Sequence, residues 1–318
     1  KQKARKVKEF DMSKYAQRHV AIQLQYDGSK YYGFASQKDE CEETVEKYLF
    51  EALLKLRLIE SRSSCNYSRC GRTDKGVSAM RQVVAFNLRS NLPKDASEDD
   101  KANTMEVDYC NLLNKSFPPE IRALGVSFVS PDFSARFSAT YRTYRYFFVR
   151  RNLNTEAMLS AAKSFIGVHD FRNFCKLDAP NVTNFEREVL FVNLVCYRES
   201  PDDESHDIMY LEISGLAFLW HMVRCIMAVL FLVGKELELP AIVSQLLDVS
   251  AEPTKPEYAL ASDAPLLLYD CGFGSTVFNY NPRVLKFLEA HYEEQWEQSS
   301  IAAARAKTTL DWIQGCPV

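Results

Sequence analysis

Apolar and polar residues alternate along residues 19–26, the period of a strand with one face on a core. The run ends in Asp27, Gly28 and Ser29, residues suited to a turn. The period then changes. Val45, Leu49, Ala52, Leu53 and Leu56 recur at helical spacing behind Glu43 and Thr44, which predicts a helix over 44–56. Strands are predicted at 66–70 and 82–88, so residues 71–78 lie in a strand-to-strand context, and Ser97, Glu98, Asp99 and Asp100 mark a solvated loop. A helix near 109–115 and a strand near 121–129 complete a first block.

A second block repeats the alternation. It predicts a strand at 142–150, a helix at 155–166, strands at 187–198 and 208–218, a helix at 220–233, a strand at 266–273 and a largely helical tail from 281 to 313. His169, Asp170 and Phe171 read as a helix end with an aromatic anchor, and Tyr31 to Phe34 as packing. Strands outside a simple βαβα order favour α+β lobes with antiparallel sheets, and two similar lobes would meet in a cleft. The division expected is a basic arm at 1–17, an N-terminal lobe at 18–135, a C-terminal lobe at 136–280 and a helical extension at 281–318.

The most apolar window, 215–234, holds His221 and Arg224 near its middle, where charge is costly in lipid, so it reads as a buried helix and no membrane association is expected. The 318 residues carry a formal net charge of -3, which gives no global basic field and leaves any nucleic-acid contact to local clusters of Lys and Arg. One such cluster is the arm itself, with Lys1, Lys3, Arg5, Lys6 and Lys8 against the single acid Glu9. Nine scattered cysteines without a CxxC pair read as free thiols in a reducing compartment, and the five isolated histidines make a structural zinc site improbable. No secretory signal opens the chain, and Lys1 in place of Met leaves targeting information incomplete.

Chemistry is suggested at three places. Cys70-Gly71-Arg72-Thr73-Asp74-Lys75-Gly76 sets one carboxylate on a glycine-bracketed turn between an arginine and a lysine. Such turns are mostly structural, because Asp bonds nearby amides and Gly accepts positive φ. The segment 136–151 has Arg136, Arg142, Arg145, Arg150 and Arg151, no acid, and interleaved Tyr141, Tyr144 and Tyr146. Arginine grips phosphate and tyrosine offers a stacking face, as an RNA-binding strand needs, although a solvated basic face fits the pattern equally. Strand alternation puts Tyr144 and Tyr146 on one face and Arg145 on the other. Arg224, inside the apolar helix, needs an anion, either Asp74 or another acid. Arg187, between Glu186 and Glu188, reads as a surface ion-pair residue.

These segments together resemble the TruA family of tRNA pseudouridine synthases over about residues 20–273. The resemblance is carried by Tyr26-Asp27-Gly28-Ser29-Lys30-Tyr31-Tyr32-Gly33-Phe34, by Gly71-Arg72-Thr73-Asp74-Lys75-Gly76-Val77-Ser78-Ala79, by Phe133 to Thr140 with Tyr144-Arg145-Tyr146, and by Phe218 to Arg224. Lys75, Ser78 and Phe34 stand where bacterial members typically carry Ala, His and Trp, and the wording looks like the eukaryotic branch that modifies uridines 38 and 39 of the tRNA anticodon arm. Met80-Arg81 departs slightly from the pattern.

The resemblance implies an α+β pseudouridine synthase fold of two RRM-like lobes sharing a central antiparallel sheet, with the active cleft between them. It implies that Asp74 is the catalytic aspartate, Arg72 the arginine associated with base flipping, Tyr144 the tyrosine that stacks on the uracil and Arg224 the partner of the aspartate. Further RNA contacts are expected from Lys75, Arg136, Arg142, Arg145, Arg187 and His221. No cofactor or metal is implied; the partners are tRNA and, as is usual in the family, a second copy of the chain, in nucleus and cytoplasm. The competing reading is a non-catalytic RNA-binding or RNA-folding protein of RRM-like lobes, for which Asp74→Ala would leave every activity intact.

Overall fold

The computed structural model describes residues 11–35, 43–92, 94, 105–176, 182–201 and 203–316. The basic arm up to Phe10, the loop at 97–100 and Cys41 lie outside the described residues. The first block forms β1 (Gln17–Tyr26), α1 (Val45–Lys55), the short β2 (Ser68–Arg69), β3 (Ser78–Arg89), α2 (Tyr109–Ser116) and β4 (Ile121–Phe128). The second forms β5 (Tyr141–Val149), α3 (Thr155–Lys163), β6 (Gly167–Asp170), β7 (Glu186–Arg198), β8 (Ile208–Gly215), α4 (Met222–Gly234) and α5 (Ile242–Leu247). The chain ends in β9 (Leu266–Gly272) and the long α6 (Pro282–Gln314).

Local chemistry sets the helix starts. Thr44, Asp108, Asn154 and Asn281 each accept a backbone N–H of the helix they precede, and Pro282 opens α6 where a missing N–H costs nothing. α1 then turns Val45, Leu49, Ala52 and Leu53 inward, as its spacing predicts.

One nine-stranded sheet runs in the order β4-β1-β3-β9-β5-β8-β7-β6, with β2 on β3. Its pairs are antiparallel except β3 and β9, which run parallel where Ser78 and Ala79 face Leu267 and Leu268. The last strand therefore joins the two halves, pairing with β3 on one side and with β5 on the other. One core lies under β1, β3 and β4 with α1 and α2, and the other under β5, β7 and β8 with α3, α4 and α5. Leu268, Cys271, Phe273, Val284 and Leu288 belong to the first of these, so the end of the chain returns to the half where it began. There Tyr280 donates to Gln23 at 2.7 Å and Asn281 to Asp108 at 2.7 Å.

Several boundaries differ from the pattern. β3 starts at Ser78, four residues before the alternation is visible, because Ala79 pairs with Tyr26 across a bulge. His169 and Asp170 lie in β6, paired with Arg187 and Glu186, and not at a helix end. α4 starts at Met222 because His221 has a left-handed backbone. α4 is packed into the second core, and among the described residues no helix is long and apolar enough to cross a membrane.

Candidate active site

The loop between β2 and β3, residues 70–77, lies at the seam of the sheet and is held from several sides. Gly71 donates its N–H to Gln82 Oε1 and accepts from Gln82 Nε2, both at 3.0 Å. The Tyr26 and Thr73 hydroxyls meet at 2.7 Å, the Phe34 N–H donates to the Thr73 carbonyl at 3.0 Å, and the Gly76 N–H to the Tyr31 carbonyl at 3.2 Å. Ser78 Oγ accepts from the Gly28 N–H at 3.0 Å. A Cβ on Gly28 would lie 2.1 Å from the Val77 carbonyl oxygen and one on Gly33 2.8 Å from that of Thr73, so the approach requires glycine. The segment from Tyr26 to Phe34, of which Tyr31 to Phe34 reads from sequence as packing, is thus the brace of the Asp74 loop.

The loop leaves the Asp74 side chain 27% exposed, 3.6 Å from His221 Nε2. That separation is too long for a hydrogen bond. Burial raises the Asp74 carboxyl above its ordinary range; the Arg224 guanidinium, the Trp220 indole N–H and Arg72 favour its charged form, while Asp263 opposes them. Burial wins, although Arg224 pulls the other way. His221 is pushed down to about 4, first by its burial and then by Arg224, Lys176 and Lys255. The contact therefore joins a carboxylate to a neutral imidazole and is not an ion pair.

Arg224 acts on Asp74 through space. Its Nε donates to the Ala261 carbonyl at 2.8 Å, and among the described residues no ion-pair contact joins it to Asp74. Tyr144, on β5, packs against both cores, with its ring edge-on to Phe218 at 5.0 Å. Its hydroxyl has no hydrogen-bond partner among the described residues, and burial raises the phenol. Arg72 is exposed, Lys75 lies over the Tyr32 ring at 4.3 Å, and the exposed Arg136 lies over Phe137 at 5.1 Å.

The other predicted basic contacts are committed elsewhere. Arg142 is buried and donates to the carbonyls of Leu216 at 2.5 Å, Arg136 at 2.6 Å and Cys70 at 3.1 Å, tying both halves to the start of the Asp74 loop. Arg145 points to the opposite face, as alternation predicts, with Nε 2.6 Å from Glu212 and its guanidinium over Tyr269 at 3.4 Å. Arg187 is half-buried and donates to the carbonyls of Asn184 and Glu186, and the expected surface ion pair is not formed among the described residues.

Sequence reasoning missed Gln82, Tyr26, Thr73 and Asp263. Gln82 was detectable as a polar residue inside an apolar strand. Asp263, in Ser262-Asp263-Ala264-Pro265, has no local signal. Together the residues offer a partly buried carboxylate, an aromatic ring and cations across a seam, with no metal-ligand cluster among the described residues. That set suits nucleophilic or base chemistry on a bound ring.

A family profile described as tRNA pseudouridine synthase matches residues 161–274. The tRNA pseudouridine(38/39) synthase of Saccharomyces cerevisiae is 43% identical over 309 residues, which are 92% of this chain and 68% of that protein. The chain belongs to the tRNA pseudouridine synthase family. The family's proteins of the same name from Homo sapiens and Mus musculus are 42% identical over 321 residues and 44% identical over 304, covering 97% and 92% of this chain. The chain spans 66% and 63% of their lengths. Among solved structures, a Cbf5-Nop10-Gar1 complex matches 67% of this chain and 45% of that one at 12% identity, with a TM-score of 0.31, too low to bear on the site. The matched segment of the synthase profile runs from α3 through β9 and contains Arg224 and Asp263, whereas Asp74 and Tyr144 precede it.

Proposed function

We propose that the chain is a tRNA pseudouridine synthase acting on uridine 38, uridine 39 or both in the anticodon arm. The observation that carries this reading is the Asp74 carboxylate on a braced loop, with Tyr144 and Arg224 brought to it from the other half. The names of the relatives supply the substrate class.

The reaction breaks N1–C1′, turns the base and joins C5 to C1′; the C5 proton leaves and N1 gains one. No redox change occurs and nothing else is lost. The uridine must leave its stack, at a cost of a few kcal/mol. Stacking on Tyr144, worth about 1–3 kcal/mol per base, offsets this cost, and Arg72 fills the vacated space. Attack at C1′, attack at C6 and removal of the C2′ proton all need an ionised carboxylate. Burial makes Asp74 a stronger base, and Arg224, Trp220 and Arg72 favour the ionised state in which it can react.

Tritium release from tRNA carrying 5-tritiated uridine tests the reading, because the C5 hydrogen is lost. Wild type should release tritium, and Asp74→Ala should release none while still binding tRNA. No release by wild type from unmodified tRNA overturns the function. Full release by Asp74→Ala overturns the role of the carboxylate. We also take the working unit to be a homodimer that adds a second basic rim, for which light scattering is the check.

A further inference from the structure

His221 has a backbone that its helix does not explain. Residues preceding a helix ordinarily adopt extended backbone angles and cap the first amides with a side-chain oxygen. His221 instead has φ 60 and ψ 10 and makes no side-chain cap hydrogen bond. The other described non-glycine residues with positive φ, Arg57, Asn66, Arg151 and Glu236, are all exposed, whereas His221 is partly buried. A left-handed histidine is strained, and such strain persists where the surroundings impose it. Here the conformation aims Nε2 at Asp74 Oδ2, 3.6 Å away.

The charged groups around the pair come from every element packed on it. Asp74 faces Arg72 on its own loop, Arg224 on α4 and Asp263 ahead of β9; His221 faces Arg224, Asp263, Lys176 and Lys255. With that many cations nearby, the imidazole stays neutral and retains one N–H to give.

We propose that His221 is a positioning residue for Asp74: strain holds the imidazole beside the carboxylate, and on binding a flipped base Nε2–H comes within hydrogen-bond reach of Oδ2, leaving Oδ1 to react. The contact needs to shorten by only about half an ångström. This rests on Asp74 being the reactive carboxylate.

His221→Asn and His221→Gln test the idea together. Asparagine accepts the left-handed region and is too short to reach Asp74, so His221→Asn should melt at or above the wild-type temperature. Its single-turnover rate should nevertheless fall on the order of 10²-fold, with tRNA affinity unchanged. The acid limb of its rate profile should move to higher pH, because a donor to the charged carboxylate is gone. Glutamine places its amide nitrogen about where Nε2 stands and should recover part of the rate. A wild-type rate in His221→Asn overturns the proposal, as does a fall in rate and melting temperature together with an unmoved acid limb. If wild type makes no pseudouridine, the function reading fails, while a melting temperature of His221→Asn below wild type still overturns the strain by itself.

Discussion

The Asp74 carboxyl sits above its ordinary range because the loop carrying it is tucked into the seam and the cations nearby do not cancel that burial. The native state therefore binds this proton more tightly than the unfolded chain does. Stability contributed by the group is largest when it is protonated and is lost as pH rises from about 3.8, the ordinary value, through the raised folded value. Asp74→Asn should thus release no tritium yet melt higher than wild type at pH 7, with the gain shrinking as pH falls through that window. Thermal unfolding at several pH values measures this. An Asn variant less stable than wild type at pH 7 would show that the site stores no electrostatic strain. Tyr144 separates ring from hydroxyl in the same way. Tyr144→Phe should bind tRNA as wild type does, since the hydroxyl has no partner among the described residues, whereas Tyr144→Ala should lose about 1–3 kcal/mol of affinity by equilibrium binding.

At the scale of elements, the Asp74 loop is only as well placed as its brace. Gln82 is fully buried and satisfies both polar groups of Gly71, two residues before Thr73. Gln82→Met keeps the volume but leaves that N–H and carbonyl unpaired, and it should cost about 1–3 kcal/mol in chemical denaturation. It should also lower kcat more than it raises KM, because Asp74 loses its placement while the exposed basic rim remains. Equal stability with an intact rate would remove Gln82 from the brace. Most of the elements were legible because burial of one face leaves a period in the sequence, as in β1, α1 and α3. β6 and α5 were not, being four and six residues long, too short to complete a pattern. The carboxylate was legible from its glycines and flanking charges, but its surroundings were not. The brace depends on close backbone approach between the segment after β1 and the Asp74 loop, Asp263 arrives from a distant segment, and the direction of the Asp74 shift is a sum over burial and four side chains that no local pattern encodes.

Across the whole molecule, charge decides how the proposed function could hold RNA. A net charge of -3 opposes a polyanion, so under that function binding must come from cations left free by the fold. The run at 136–151 looks like such a reserve, yet its arginines divide by face and partner. Arg142 is spent on three carbonyls, Arg145 on Glu212 and Arg150 on Glu204, while Arg136 on the surface, together with Arg72 and Lys75 of the Asp74 loop, remains open to solvent. Only cations that neutralise phosphate release counterions, so these three should contribute to the salt dependence of binding. In a plot of log affinity against log salt, Arg72→Gln and Arg136→Gln should each reduce the slope by roughly one. Arg145→Gln should leave the slope unchanged and instead lower stability, by leaving Glu212 without its partner on the far face of the sheet. A slope that responds to Arg145 and not to Arg136 would mean that RNA lies across the opposite face from Asp74, where no uridine could reach the carboxylate.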